Sequence, residues 1–151
     1  MTAEESIDYA IKTAWHSISR MYNQKAALHN MTTSIGFVLL NISSSEGTPA
    51  TKIAPLLGLE ARSLTRMLRT LEEKNYIYRQ RDPNDRRTVY IHLTEMGKEK
   101  KGKTIETVKA FNNYMRELIP GDKLKVFFEV AAKITASVEN DEKLREAVFK
   151  D

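Results

Sequence analysis

LEARSLTRMLRTLEEKNYIYRQRDPNDRRTVYIHLTEMG, running from Leu59 to Gly97, changes its periodicity twice, and those changes decide the fold. Leu64, Met67, Leu68 and Leu71 recur at spacings of three and four, which is one face of a helix. That stripe leaves Arg62, Ser63, Thr65, Arg66 and Arg69 on the other faces. From Tyr76 the chain turns aromatic and β-branched, as Tyr76, Ile77 and Tyr78 and again as Thr88, Val89, Tyr90, Ile91 and Leu93, in runs of strand length. Between the runs stands RQRDPNDRR, Arg79 to Arg87, whose Asp-Pro and Asn-Asp pairs carry turn chemistry. The two strands are expected to pair as a hairpin with a basic tip. Thr94, with Glu95 and Gly97 behind it, opens the next helix.

Working back from Leu59, Gly58 stops a short helix that carries Ile53, Ala54, Leu56 and Leu57. Thr48, Pro49, Ala50 and Thr51 read as its capped start, with Pro55 limiting its regularity. Two short helices joined by a glycine turn are a helix-turn-helix candidate, and the hairpin after them is its wing. Further back, Ser43 to Gly47 is a polar turn, and Ile35, Phe37, Val38, Leu39, Leu40 and Ile42 form a densely apolar helix capped by Thr32 to Ser34. Ile7, Ala10, Ile11, Ala14, Trp15, Ile18, Met21 and Tyr22 mark a long first helix that ends near Ala27 or Leu28.

Working forward from Gly97, the helix is charged over Lys98 to Lys103 and then apolar at Ile105, Val108, Phe111, Tyr114, Met115 and Leu118, until Pro120 and Gly121 end it. Leu124, Phe127, Phe128, Ala131, Ile134 and Val138 are the stripe of a last helix, and the tail continues helical through Leu144, Ala147 and Val148 or frays. The predicted fold class is mainly α with a small β-hairpin wing: a winged helix-turn-helix with six helices.

At 151 residues the chain suits one domain. Its 41% apolar and 29% charged residues are the balance of a folded globular protein. The longest apolar stretch, Ile35 to Leu40, is far short of a membrane span, and Glu4, Glu5 and Asp8 stand where a secretory signal is basic, so a cytoplasmic protein with no membrane association is expected. The absence of cysteine excludes disulfides, thiolate metal sites and a thiol-oxidation switch. The net charge of +4 is unevenly placed: residues 52–103 hold 13 Lys/Arg against 7 Asp/Glu, while the remainder holds 11 against 13. The middle therefore faces a polyanion and the ends have another task, for which dimerisation is the natural candidate.

Double-stranded DNA is the polyanion that these parts suit. A helix entering the major groove needs short polar and basic side chains to reach base edges, and Arg62, Ser63, Thr65, Arg66 and Arg69 meet that need. Arginine bonds guanine bidentately, and Ser or Thr hydroxyls serve bases or phosphates. A hairpin tip with Arg81, Arg86 and Arg87 can lay a guanidinium in the neighbouring minor groove. Each piece alone is common; their uninterrupted order is what carries the reading.

The run Thr48 to Gly97, with LLGLEARSLTRMLRTLEEKNYIYR followed by RDPNDRRTVYIHLTEMG, resembles the MarR family of multiple antibiotic resistance regulators, and helices on either side extend the likeness to almost the whole chain. The resemblance implies a homodimer of six-helix winged subunits that binds a pseudo-palindromic operator as a transcriptional regulator, most often a repressor. It implies a DNA-binding lobe over 32–97, with 5–30 and 98–151 as dimerisation helices of one domain, 1–151. Asp85 and Arg87 match the family's Asp-x-Arg wing pair, with the arginine entering the minor groove, and Arg86 matches a frequent basic neighbour. Ser63, Thr65, Arg66 and Arg69 fall on the recognition helix.

In similar proteins a crevice between the dimer helices and the DNA-binding lobe often holds small aromatic or phenolic effectors. Trp15, Tyr22, Met31 and Phe37 fall there in this sequence, with His16 and Arg20 as polar or anion-binding partners, although such residues are most often core. His16, His29 and His92 lie too far apart for a metal-ligand pair, and no metal or cofactor is expected. No Ser-His-Asp set, phosphate-binding glycine loop or HExxH motif occurs, so the chain does not read as an enzyme. The alternative is a winged module or anti-repressor that binds protein without reading DNA; the basic wing tip argues against it.

Overall fold

The apolar spacing that predicts each helix also decides which face it buries, and the computed structural model, which describes residues 2–150, assembles them in the expected order. The helices are α1 (Ile7–Ala27), α2 (Thr33–Leu40), α3 (Ala50–Leu57), α4 (Ala61–Glu73), α5 (Glu95–Leu118), α6 (Gly121–Asn140) and α7 (Glu142–Val148). The strands are β1 (Thr48–Pro49), β2 (Ile77–Arg81) and β3 (Val89–Leu93), in an antiparallel sheet of order β1-β3-β2. Six helices were expected and seven are present among the described residues. The extra one arises at Asp141, whose extended backbone (φ −95°, ψ 105°) ends α6 and whose Oδ1 accepts from the N–H groups of Lys143 and Leu144 at 3.0 and 3.3 Å to cap α7.

Two compact units divide the chain, Met1–Val108 and Lys109–Asp151. The first owns the core. Met31, Ile35, Val38, Leu39 and Ile42 from α2 and its flanks meet Ile53 of α3, Leu64, Leu68 and Leu71 of α4, and Tyr76, Ile77, Ile91 and Leu93 of the hairpin. Ile42 lies beyond the last residue of α2 yet is fully buried, which explains why it reads as part of the helix. In the second unit, Phe127 and Phe128 pack edge to face at 5.6 Å and Arg116 lies over the Phe128 ring, but no residue of α6 or α7 is buried.

Capping fixes the joints of the first unit. Thr32 Oγ1 accepts from Ile35 N at 3.2 Å at the start of α2. Gly58, at φ 61°, ends α3 in the left-handed conformation that glycine adopts without steric cost, and Leu59 N donates to Ala54 O at 3.0 Å. Thr94 Oγ1 accepts from Gly97 N at 3.0 Å to start α5 and donates to Asn75 O at 2.7 Å. Gly97 has to be glycine for another reason: a Cβ there would run into the Tyr76 carbonyl.

One expected cap is used differently. Thr48 does not cap α3; its hydroxyl accepts from Ser43 N at 2.9 Å and its backbone pairs opposite Ile91 as β1, so Pro49 takes the N-cap place. The polar turn thus closes on itself, and the hairpin gains a third, two-residue strand.

Candidate nucleic-acid interface

Helix α4 is amphipathic because Leu64, Leu68 and Leu71 are spaced by four and three, which places all three in the core. Arg62, Ser63, Thr65, Arg66 and Arg69 are consequently exposed. They are not equivalent. Thr65 Oγ1 donates to Ala61 O at 2.9 Å, so its hydroxyl proton is used within the helix, while its lone pairs remain open to a donor. Arg69 Nε donates to Glu73 Oε1 at 3.0 Å in an exposed i,i+4 pair. Arg62 and Arg66 make no side-chain hydrogen bond or ion pair among the described residues, and both sit toward the N-terminal half, where a groove-inserted helix meets base edges.

The hairpin is set by cross-strand register: Ile77 opposite Leu93, Arg79 opposite Ile91 and Arg81 opposite Val89. Ile77, Ile91 and Leu93 anchor its base in the core. On the alternate positions Tyr78 stacks on His92 at 5.1 Å, and His92 is in turn covered by Gly47, where a Cβ would fall 2.6 Å from the imidazole.

Past Arg81 the tip is held by two carboxylates. Asp82 Oδ1 accepts from Asn84 N at 2.8 Å in an Asx turn. Asp85 accepts from Arg87 N at 3.0 Å and from Thr88 Oγ1 at 2.9 Å, while Thr88 N donates to Asp85 O at 3.0 Å. Asp85 therefore fixes Arg87 through its backbone N–H, and the guanidinium is left projecting. Arg81, Arg86 and Arg87 are all exposed.

The three residues expected to face a small ligand do not converge. Phe37 stacks with Trp15 at 6.1 Å, meets Tyr22 edge-on at 6.3 Å, and lines a narrow cavity of about 30 Å³ with Tyr22, Ala26, Met31, Gly36 and Val108 among its walls. His16 and Arg20 lie instead along a shallow groove of α1 with Ser19, Asn23, Gln24 and Ala27. The helical wheel explains the separation: Trp15, Tyr22 and Ala26 share the face turned to α2, while 16, 20, 23 and 27 share another. Sequence reasoning missed the cavity's polar groups, Lys25, His29, Thr33 and Lys103, because they come from three elements with no shared periodicity. Burial pushes the Tyr22 hydroxyl above its ordinary pKa. Among the described residues no cluster of His, Cys, Asp or Glu could hold a metal ion, and no helix is long and apolar enough to cross a membrane.

Comparison with known proteins bears on this lobe. Residues 31–89 match the MarR family. The chain is 34% identical over 100 residues to the HTH-type transcriptional regulator TtmR of Methylorubrum extorquens (strain PA1), which is 66% of this chain and 51% of TtmR. It is 33% identical over 98 residues to the HTH-type transcriptional regulator SarZ of Staphylococcus aureus (strain USA300), 64% of this chain and 66% of SarZ. The match thus spans about half to two thirds of these relatives. Among solved structures, an S. aureus MepR–DNA complex superposes with a TM-score of 0.81 at 21% identity, covering 87% of this chain and 98% of MepR. At that identity the likeness establishes the winged-helix fold.

Proposed function

This chain belongs to the MarR family, and from that premise we propose that it is a sequence-specific, DNA-binding transcriptional regulator that acts in the cytoplasm by binding rather than by catalysis. The observation that carries the reading is the pairing, within one unit, of the exposed Arg62 and Arg66 face of α4 with the projecting Arg86 and Arg87 of the hairpin tip. The α4 face enters the major groove, where Arg62, Ser63, Thr65, Arg66 and Arg69 read base edges or phosphates. The tip lays Arg87 in the minor groove, flanked by Arg81 and Arg86 and braced by Asp85.

Residues 32–97 form the DNA-binding lobe, and 5–30 with 98–151 form the surface of a homodimer that spans a pseudo-palindromic operator. Support for the dimer is the exposure of Ile7, Ile11 and Trp15 in the first unit and, separately, of Phe127 and Phe128 in the second, large apolar side chains that a monomer seldom leaves uncovered in such number. Repression follows from occupancy of an operator. The apolar, aromatic lining of the narrow cavity beside Phe37 supports a second element, control by a small aromatic or phenolic effector: the cavity widens to admit it, and binding shifts the equilibrium toward the state whose recognition helices do not fit the operator.

Titrating a labelled duplex at several ionic strengths tests the DNA reading. A protein that neutralises Z phosphates loses affinity with a log–log slope of about −0.9Z, so a steep line is expected. A flat line, with binding to a protein partner in its place, overturns it.

A further inference from the structure

The two surfaces that would touch DNA meet at a short joint. Lys74, Asn75 and Tyr76 connect α4 to β2, with Asn75 at φ 58° and Tyr76 N donating to Leu71 O at 2.9 Å. Across this joint, Arg79 Nε donates to Glu72 Oε2 at 2.9 Å. The pair is about one-third exposed on each side, 38% and 36%, whereas Arg69–Glu73 on the open face is 80% and 63% exposed. Arg79 also stands opposite the fully buried Ile91, at the anchored base of the hairpin.

We propose that Glu72 and Arg79 are a positioning pair that sets the angle of the wing against the recognition helix, and so decides whether Arg87 and Arg66 engage one duplex together. The inference rests on the DNA-binding reading above. Its physical basis is leverage. A strand rises about 3.4 Å per residue, so the tip begins on the order of 10 Å past Arg79, and a tilt of roughly 15° at the base carries it by ~3 Å. That displacement separates a hydrogen bond to a phosphate from none. The ion pair is a modest contributor to folding, because a partly exposed pair is worth little; its effect is on geometry.

A duplex recovered by the parent protein from a randomised pool is the probe, with affinity read by fluorescence anisotropy and folding by thermal denaturation. Glu72→Gln and Arg79→Gln are each expected to weaken binding by roughly five-fold with little change in Tm, as loss of about 1 kcal/mol implies. Arg79→Lys should recover part of the loss. In an Arg87→Ala background the same changes should cost markedly less, since the main wing contact that they position is already gone. Tighter binding by Glu72→Gln overturns the proposal, because it means that Arg79, released from its partner, meets phosphate directly. Equal losses in both backgrounds overturn it as well, since the pair then acts on binding independently of the Arg87 contact. A parent that recovers no duplex overturns the DNA reading and this inference together; a parent that binds while Glu72→Gln tightens overturns the pair alone.

Discussion

The core cluster of the unit Met1–Val108 and the helices α6 and α7 of the unit Lys109–Asp151 use their apolar residues in opposite ways. In the first, Val38, Leu39, Ile42, Ile53, Leu71 and Ile91 are completely buried, and α4 presents Arg62, Arg66 and Arg69 outward while it buries Leu64, Leu68 and Leu71 inward. In the second, Phe127 is 60% and Phe128 49% exposed, and no residue of α6 or α7 is buried. A helix with an apolar stripe and nothing to cover it is stable only when something else does. The core cluster therefore holds α4 and the hairpin in place, whereas α6 and α7 leave uncovered the apolar stripe that we propose for association.

Removing a core side chain should produce the largest effect and sharpen the contrast. Leu71→Ala is expected to cost about 3 kcal/mol of folding stability, since it leaves a cavity where α4 meets α2 and the hairpin. Urea unfolding measures it, and a loss under about 1 kcal/mol would mean that the core cluster is not what holds the lobe. The matching change in the second unit, Phe127→Ala with Phe128→Ala, should act on association instead. Sedimentation equilibrium should show the dimer weakened by about 2 kcal/mol or more, the scale of losing two buried aromatic side chains at an interface. An unchanged dimer breaks the comparison.

A smaller effect separates the two surfaces proposed to face DNA. Arg87→Ala should reduce the salt slope by about one unit and weaken binding most at A/T-rich flanks. Asp85→Ala should resemble a milder Arg87→Ala, because the carboxylate holds the Arg87 backbone N–H and the Thr88 hydroxyl. Affinity selection from a randomised pool reads both. If Arg87→Ala recovers the same sequences at the same affinity as the parent, the wing is not a contact.

The sequence was most legible where one periodicity governs one element. The Leu64, Leu68, Leu71 stripe gave α4 and its exposed arginines together, and the change to β-branched runs gave the hairpin. Long-range pairing was hidden. Thr48–Pro49 is too short to show alternation and is a strand only because Ile91 and Tyr90 offer it free backbone groups. The Glu72–Arg79 pair spans a change from helical to extended spacing, so neither period predicts it. The resemblance groups His16 and Arg20 of α1 with Phe37 of α2 in one crevice, and the wheel turns these two side chains to a different face of α1 from the Trp15 and Tyr22 that meet Phe37.

The smallest expected effect tests the joint between the two surfaces proposed to face DNA. Asn75 has φ 58°, a left-handed conformation that asparagine tolerates and branched residues do not. Its backbone oxygen is fixed by Thr94 Oγ1 at 2.7 Å and the following N–H by Leu71 O, so the chain cannot relax by changing φ without losing hydrogen bonds. Asn75→Val should accordingly lose about 1 kcal/mol, while Asn75→Gly should be neutral or slightly stabilising. Asn30, at φ 56° after α1, is the control: its replacement by Val should cost a similar amount of stability but leave DNA affinity unchanged, because it does not lie between α4 and the hairpin. Thermal unfolding and duplex titration on the same three variants decide the matter. Equal DNA losses at the two positions would mean that the joint after α4 has no special part in setting the wing.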